Sequence, residues 1–234
     1  MSSITKSEAR RWAKTQRSSI CRGKQSAFRE ILLQELLPWL FSQHVLQRND
    51  EKNDSKHDWK NDWVAVYSAT PQEPDVSPVC HALHQQEIVL GLPRMEVASE
   101  TAPLAQLYWH RYRPASTNKN ESGTVLVQHP WGVWEPHPQE PLLETPPAVV
   151  LLPCLAMDGR GNRLGYGQGF YDRALKHWKT QAKQAPLLIS LCWQACILPE
   201  SLLLQTEAWD IPVDYTLCES GWIPHHPLEA DETR

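Results

Sequence analysis

Five of the ten glycines in this 234-residue chain, Gly159, Gly161, Gly165, Gly167 and Gly169, fall within DGRGNRLGYGQGFYDRAL, residues 158–175. Alternating glycines let backbone amides approach an anion with no Cβ in the way. The helix predicted for FYDRALKHW would point its positive dipole end at the same place. Arg163 adds a delocalised cation suited to phosphate oxygens. The chemistry on offer is phosphate binding, and the plain alternative is a tight strand-to-helix connection that binds nothing. Glycine spacing alone leaves both open, because the stretch is neither a Walker loop nor G-x-G-x-x-G. Tyr166, Phe170, Tyr171, Asp172 and Arg173 crowd the same span. Asp172, in the first helical turn, either steadies the helix dipole or, beside a phosphate, holds Mg²⁺.

A second group of cations stands near the start of the chain. Thr5 and Glu8 have the spacing of a capping box, which predicts a helix over residues 5–19. At 100° per residue, Lys6, Arg10, Lys14 and Arg17 fall within an arc of about 80°. A solvated basic face is the ordinary explanation of such a stripe.

The elements that must position these groups follow from hydrophobic pattern. A second helix is predicted over residues 24–37, interrupted by Pro38. Residues 48–62 are almost wholly polar and predict a loop. Strands are predicted at 63–68, 87–93, 107–113, 124–128, 148–155, 185–193 and 212–219, with a short crossover helix between the first two. AVVLLPCL, 148–155, is a continuous apolar run of the kind buried on both faces. Strands alternating with helices predict one α/β domain, a mixed or largely parallel sheet covered on both sides. Residues 220–234 are expected to form a loose tail in which His225 and His226 are solvated.

Composition narrows the function classes. The net charge of −4 offers no global positive field for nucleic acid. No apolar run is long enough to span a bilayer, and MSSITKSEARRWAK lacks the apolar core of a signal peptide, so a cytoplasmic protein is expected. The six cysteines form no C-x-x-C pair and predict reduced, mostly buried thiols, not a zinc site.

GNRLGYGQGFYDR, 161–173, closely resembles the R-L-G-x-G-x-G-[YF]-Y-D signature of 5-formyltetrahydrofolate cyclo-ligases, also called methenyltetrahydrofolate synthetases. Other segments are similar to family elements in the same order. KSEARRWAK resembles the Lys-x-x-x-Arg-x-x-x-Lys helix, VYSATPQEPDV the first strand and its exit, WGVWEP the G-[IV]-x-E-P element, and WDIPVDYTLCE the closing motif. The resemblance covers about residues 6–219 and implies a three-layer α/β/α fold of the NagB/RpiA/CoA transferase type, acting as a monomer. It also implies a reaction: with ATP and Mg²⁺, 5-formyltetrahydrofolate cyclises to 5,10-methenyltetrahydrofolate, releasing ADP and phosphate.

Carried over position by position, the resemblance puts ATP contacts on Lys6, Arg10 and the loop Arg163, Leu164, Gly165, Tyr166, Gly167, Gln168, Gly169, Phe170 and Tyr171. The folate contacts fall on Ser68, Glu73, Tyr166, Gly167, Gln168, Gly169 and Phe170. The metal carboxylates match Asp172 and Asp214, with Asp210 a further acidic residue nearby. Three positions depart from the family pattern: Gln168 stands where relatives have Gly or Lys, Trp209 replaces the usual His, and Ser68 replaces an aliphatic residue. Two other functions are consistent with the scaffold: an ATP-dependent enzyme acting on another formylated amine, and a non-catalytic folate-binding homologue. Glu73 favours folate over the first, and the retained cations and carboxylates count against the second.

Overall fold

The computed structural model describes residues 2–18, 20, 22–42, 63–96, 105–115, 122–181 and 185–225. The polar segment 48–62 and His226 lie outside these residues. A seven-stranded sheet carries the fold. Its strands, in spatial order, are β13 (Gly221–Pro224), β12 (Tyr215–Cys218), β10 (Leu187–Leu191), β7 (Val149–Pro153), β2 (Trp63–Ala65), β3 (Val89–Glu96) and β4 (Gln106–Tyr112). The inner strands run parallel, and β13 and β4 are antiparallel edges. The sheet is therefore mixed and largely parallel, as the alternating pattern predicted. Val149 to Leu152 on the central strand are fully buried, which is why that stretch is apolar without alternation.

Helices cover both faces. Val64, Val149, Ile189 and Tyr215 share one face through their register, and Tyr215 packs on Trp39 of α3 (Leu37–Ser42), with ring centroids 5.0 Å apart. Trp63 points to the opposite face and meets Trp178 of α5 (Phe170–Gln181) at 5.9 Å. Gly91 on β3 makes room there: a Cβ at that position would stand 2.4 Å from Trp63 Cζ3. Helix α4 (Ser77–Gln85) is the crossover from β2 to β3, buried through Val79, Cys80 and Leu83.

Helix α1 (Lys6–Ser18) begins as its sequence predicts. Glu8 N–H donates to Thr5 Oγ1 at 3.2 Å, and Thr5 N–H donates to Glu8 Oε2 at 3.1 Å, a reciprocal capping box. Short strands flank the main sheet: β1 (Ser2–Ile4) pairs with β11 (Leu202–Leu204), β5 (Leu126–Gln128) with β6 (Trp134–Pro136), and β8 (Ala156–Met157) with β9 (Arg163–Leu164).

Three expectations need correction. Pro38 does not end the second helix. Helix α2 (Arg22–Ile31) passes into a π-helical turn, Leu32–Leu36, where Leu37 N–H reaches back to Leu32 O, and α3 continues through Pro38. The wider turn accommodates a residue that has no N–H and whose ring crowds the preceding carbonyls. The region after residue 220 does not start as a loose tail, because Gly221–Pro224 pairs antiparallel with β12. His225 is not solvated. It is buried, its ring Nε2 is 2.8 Å from Thr216 Oγ1, and its N–H donates to Asp214 O at 2.8 Å. The described cysteines, Cys80, Cys154, Cys192, Cys196 and Cys218, are free and buried, as expected.

Candidate active site

A cleft of about 1120 Å³ opens at the carboxyl ends of β2, β3 and β7. The chain leaves β2 toward β3 on one side and later returns to place β7 on the other, so the cleft sits where strand order reverses. Such switch points are where open α/β sheets bind ligands. Helix α1 supplies one wall through Lys6, Ser7 and Arg10.

The glycine loop forms the adjacent wall, between β9 and the first turn of α5. Leu164 is buried and its carbonyl accepts from Leu155 N–H at 2.8 Å, fixing where the loop begins. Gly167 has φ +96°, and a Cβ there would stand 3.0 Å from Arg10 Nη2. Only glycine combines that backbone angle with that approach. Arg10 Nε donates to Gly165 O at 3.2 Å, so the α1 cation braces the loop from beneath. Arg163, its side chain only 4% exposed, donates from Nη2 to Asp172 Oδ1 at 3.1 Å and lies over the Tyr171 ring at 5.4 Å. Burial pushes the Tyr171 phenol well above its ordinary pKa, so it stays protonated. Arg173 closes the loop from the helix side, donating to Gln168 O and Ala105 O at 2.8 Å each. The Nε atoms of Arg163 and Arg173 are buried without a hydrogen-bond partner among the described residues.

The exit from β2 builds the floor. Glu73 is 2% exposed. Its Oε2 accepts from Thr70 N–H at 2.8 Å, and its Oε1 accepts from Tyr166 Oη at 3.0 Å. Burial, and then the Glu73 charge, raise the Tyr166 phenol above its usual pKa, which keeps it a donor. Ser68 also lines the cleft, its Oγ accepting from Trp134 N–H at 3.1 Å.

Of the two carboxylates expected at a metal, only Asp172 faces the cleft. Asp214 does not. It precedes β12 at the amino end of the sheet, where its Oδ2 accepts from Leu188 N–H at 2.7 Å. Asp210 enters instead, on the loop leading to β12, and holds Lys6 Nζ 2.7 Å from its Oδ2. Among the described residues no group of three His, Cys, Asp or Glu side chains could hold a metal. A single carboxylate beside a glycine loop still fits Mg²⁺, which is commonly held by one or two carboxylates together with substrate phosphates and water.

Sequence reasoning did not foresee the opposite wall. Pro93 and Met95 from β3, Leu107 from β4, and Trp131, Val133 and Trp134 give the cleft an apolar side facing Glu73 and the glycine loop. Trp131 is 62% exposed and its ring lies 6.1 Å from that of Phe170. WGVWEP was visible as a motif, but only the fold brings it across from the glycine loop. Glu135 in that motif is buried. Its Oε1 accepts from Met95 N–H at 3.1 Å, so it orders the wall.

A sequence profile of the 5-formyltetrahydrofolate cyclo-ligase family matches residues 23–219. The chain belongs to this family. Cyclo-ligases similar to it include that of Haemophilus influenzae, 37% identical over 92 residues that make up 38% of this chain and 46% of that protein. The mitochondrial cyclo-ligase of Arabidopsis thaliana is 32% identical over 119 residues, 45% of this chain and 43% of that one. The chain thus spans about half the length of these relatives. The NMR structure of Aquifex aeolicus 5,10-methenyltetrahydrofolate synthetase superposes with a TM-score of 0.63 at 21% identity, covering 98% of this chain and 97% of that one. A Mycoplasma pneumoniae 5,10-methenyltetrahydrofolate synthetase gives 0.54 at 15% identity, covering 94% and 99%. These likenesses establish a shared fold. The three departures from the family pattern, Ser68, Gln168 and Trp209, all line the cleft, and Trp209 is 59% exposed.

Proposed function

We propose that this protein is an ATP- and Mg²⁺-dependent 5-formyltetrahydrofolate cyclo-ligase. The observation that carries this reading is that two recognition elements, joined through the Tyr166–Glu73 hydrogen bond, line one cleft. A buried carboxylate, Glu73, forms the floor, and beside it runs a glycine loop that carries Arg163, its side chain 4% exposed, and Arg173. The first suits the donor-rich edge of a pterin. The second suits a triphosphate.

In this reading Lys6, Arg10 and the loop from Arg163 to Tyr171 take the triphosphate, which competes with Asp210 for Lys6. Ser68, Glu73 and the loop residues Tyr166 to Phe170 take the folate, whose planar rings suit the apolar wall. Asp172 would hold Mg²⁺, which would supply neutralisation of phosphate charge and polarisation of the phosphoryl group. The formyl oxygen takes the γ-phosphoryl group and ADP leaves. N10 of the same folate then attacks the formyl carbon and loses its proton, and the C–O bond breaks with release of phosphate. The protein's own work is to hold the two substrates in line and stabilise charge spread over the transferring group.

The test is stoichiometric. Purified protein given ATP, Mg²⁺ and 5-formyltetrahydrofolate is expected to release ADP and phosphate in equal amounts, and neither without the folate. Equal release with a different formylated amine and none with the folate would replace this reading by the related-enzyme alternative.

A further inference from the structure

We propose that Arg17 is a positioning residue that sets the folate half of the cleft by locking Glu73 and Tyr166 into one arrangement. The inference rests on the cyclo-ligase reading. It concerns a residue that does not itself line the cleft. Arg17 belongs to the same basic stripe as Lys6 and Arg10, yet it is 2% exposed and so is no solvated cation.

Its fork spans two loops. Nε and Nη2 donate to Gln72 O at 3.0 and 2.7 Å, and Nη1 donates to Tyr166 Oη at 3.3 Å. Nη2 also lies 4.0 Å from Glu73 Oε1. Tyr166 Oη passes the link on by donating to Glu73. One guanidinium therefore joins α1, the turn after β2 and the glycine loop. Burial opposes the Arg17 charge, but Tyr166 and Glu73 outweigh it and hold its pKa above the usual value.

The turn is held at each carbonyl as well. Gln25 Nε2 donates to Pro71 O and Glu73 O, Trp193 Nε1 donates to Gln72 O at 2.9 Å, and Tyr67 Oη donates to Pro74 O at 2.7 Å. Backbone placement thus survives without Arg17. What Arg17 adds is a second tie, from Gln72 O to the Tyr166 hydroxyl, which fixes the direction of the direct Tyr166–Glu73 hydrogen bond. A lysine offers a point charge in place of a planar fork and cannot make both sets of bonds.

The experiment compares Arg17→Gln, Arg17→Lys, Tyr166→Phe and Arg17→Gln/Tyr166→Phe with wild type in steady-state kinetics. Arg17→Gln is expected to raise KM for 5-formyltetrahydrofolate about tenfold or more while KM for ATP stays within about twofold. Arg17→Lys should fall between Arg17→Gln and wild type. Most of the Arg17→Gln effect should vanish in the Tyr166→Phe background, because the two residues act through one link. Equal losses for both substrates, an unchanged folate KM or an additive cycle would overturn the inference. If Arg17→Gln does not fold, the cycle with Arg17→Lys decides on the same criteria. A wild type without turnover would overturn the cyclo-ligase reading itself, and this inference with it, before any variant is compared.

Discussion

Arg163 and Asp172 close the two ends of the glycine loop on each other, with Nη2 3.1 Å from Oδ1. The pair ties the β9 end of the loop to the first turn of α5. The carboxylate that would carry Mg²⁺ also keeps Arg163 aimed along the loop. In the proposed reading, phosphate and metal recognition would be coupled through this one pair.

Asp172→Asn separates them. The amide can still accept from Arg163 but is a poor Mg²⁺ ligand. We expect a folded protein, less stable by about 1 kcal/mol. Turnover should drop about a hundredfold or more at saturating Mg²⁺. Kinetics over a Mg²⁺ titration check this, and near-wild-type turnover would remove Asp172 from the metal site.

Glu73→Gln keeps the size of the side chain and exchanges an acceptor oxygen for a donor. The Tyr166 hydroxyl loses its anionic partner, and a pterin donor edge meets an amide. KM for 5-formyltetrahydrofolate is expected to rise about tenfold or more, with ATP binding little changed. Equal weakening of both, measured by titration of each ligand, would contradict the pocket assignment.

Gly91→Ala tests the sheet that positions the cleft. A Cβ 2.4 Å from Trp63 Cζ3 forces the indole off Trp178 or shifts β3. Overpacking of this kind costs about 1–3 kcal/mol. A melting temperature lowered by several degrees is the expected outcome, and one matching wild type would show that the Trp63 contact yields freely.

The buried His225 gives stability a pH dependence. Burial holds its pKa below the ordinary value of 6.5, although Asp158 and Asp214 act in the opposite direction. The unfolded chain therefore binds a proton that the folded protein resists, and stability falls as pH drops below 6.5 toward the lowered folded value. Thermal melts between about pH 5 and 8 should show this slope, and His225→Gln should flatten it. A wild-type slope retained in His225→Gln would assign it to other groups.

Local signals were legible in the sequence. The capping box at Thr5 and Glu8 spans a single turn, and the glycine loop is punctuated by residues that do one job. The central strand declared itself because burial on both faces demands an unbroken apolar run. What could not be read depends on distant partners. Arg17 looked like one more surface cation, because nothing nearby announces that its partners are Gln72 and Tyr166. The closing motif offered Asp210 and Asp214 with equal chemistry, and only the start of β12 beside Leu188 puts Asp214 at the wrong end of the sheet. Pro38 signalled a helix end, and the π-helical turn before it removed the conflict. His225 sits in a polar, proline-containing stretch, so its burial follows from the pairing of β13 with β12 and not from its neighbours.

Cyclo-ligase activity would show itself in the absorbance of the methenyl product. Purified protein is mixed with 5-formyltetrahydrofolate, with and without ATP and Mg²⁺. The methenyl band is expected to rise only when ATP and Mg²⁺ are both present. A folded protein that binds ATP yet produces no such rise would contradict the cyclo-ligase reading, leaving the phosphate loop in place and the folate chemistry wrong.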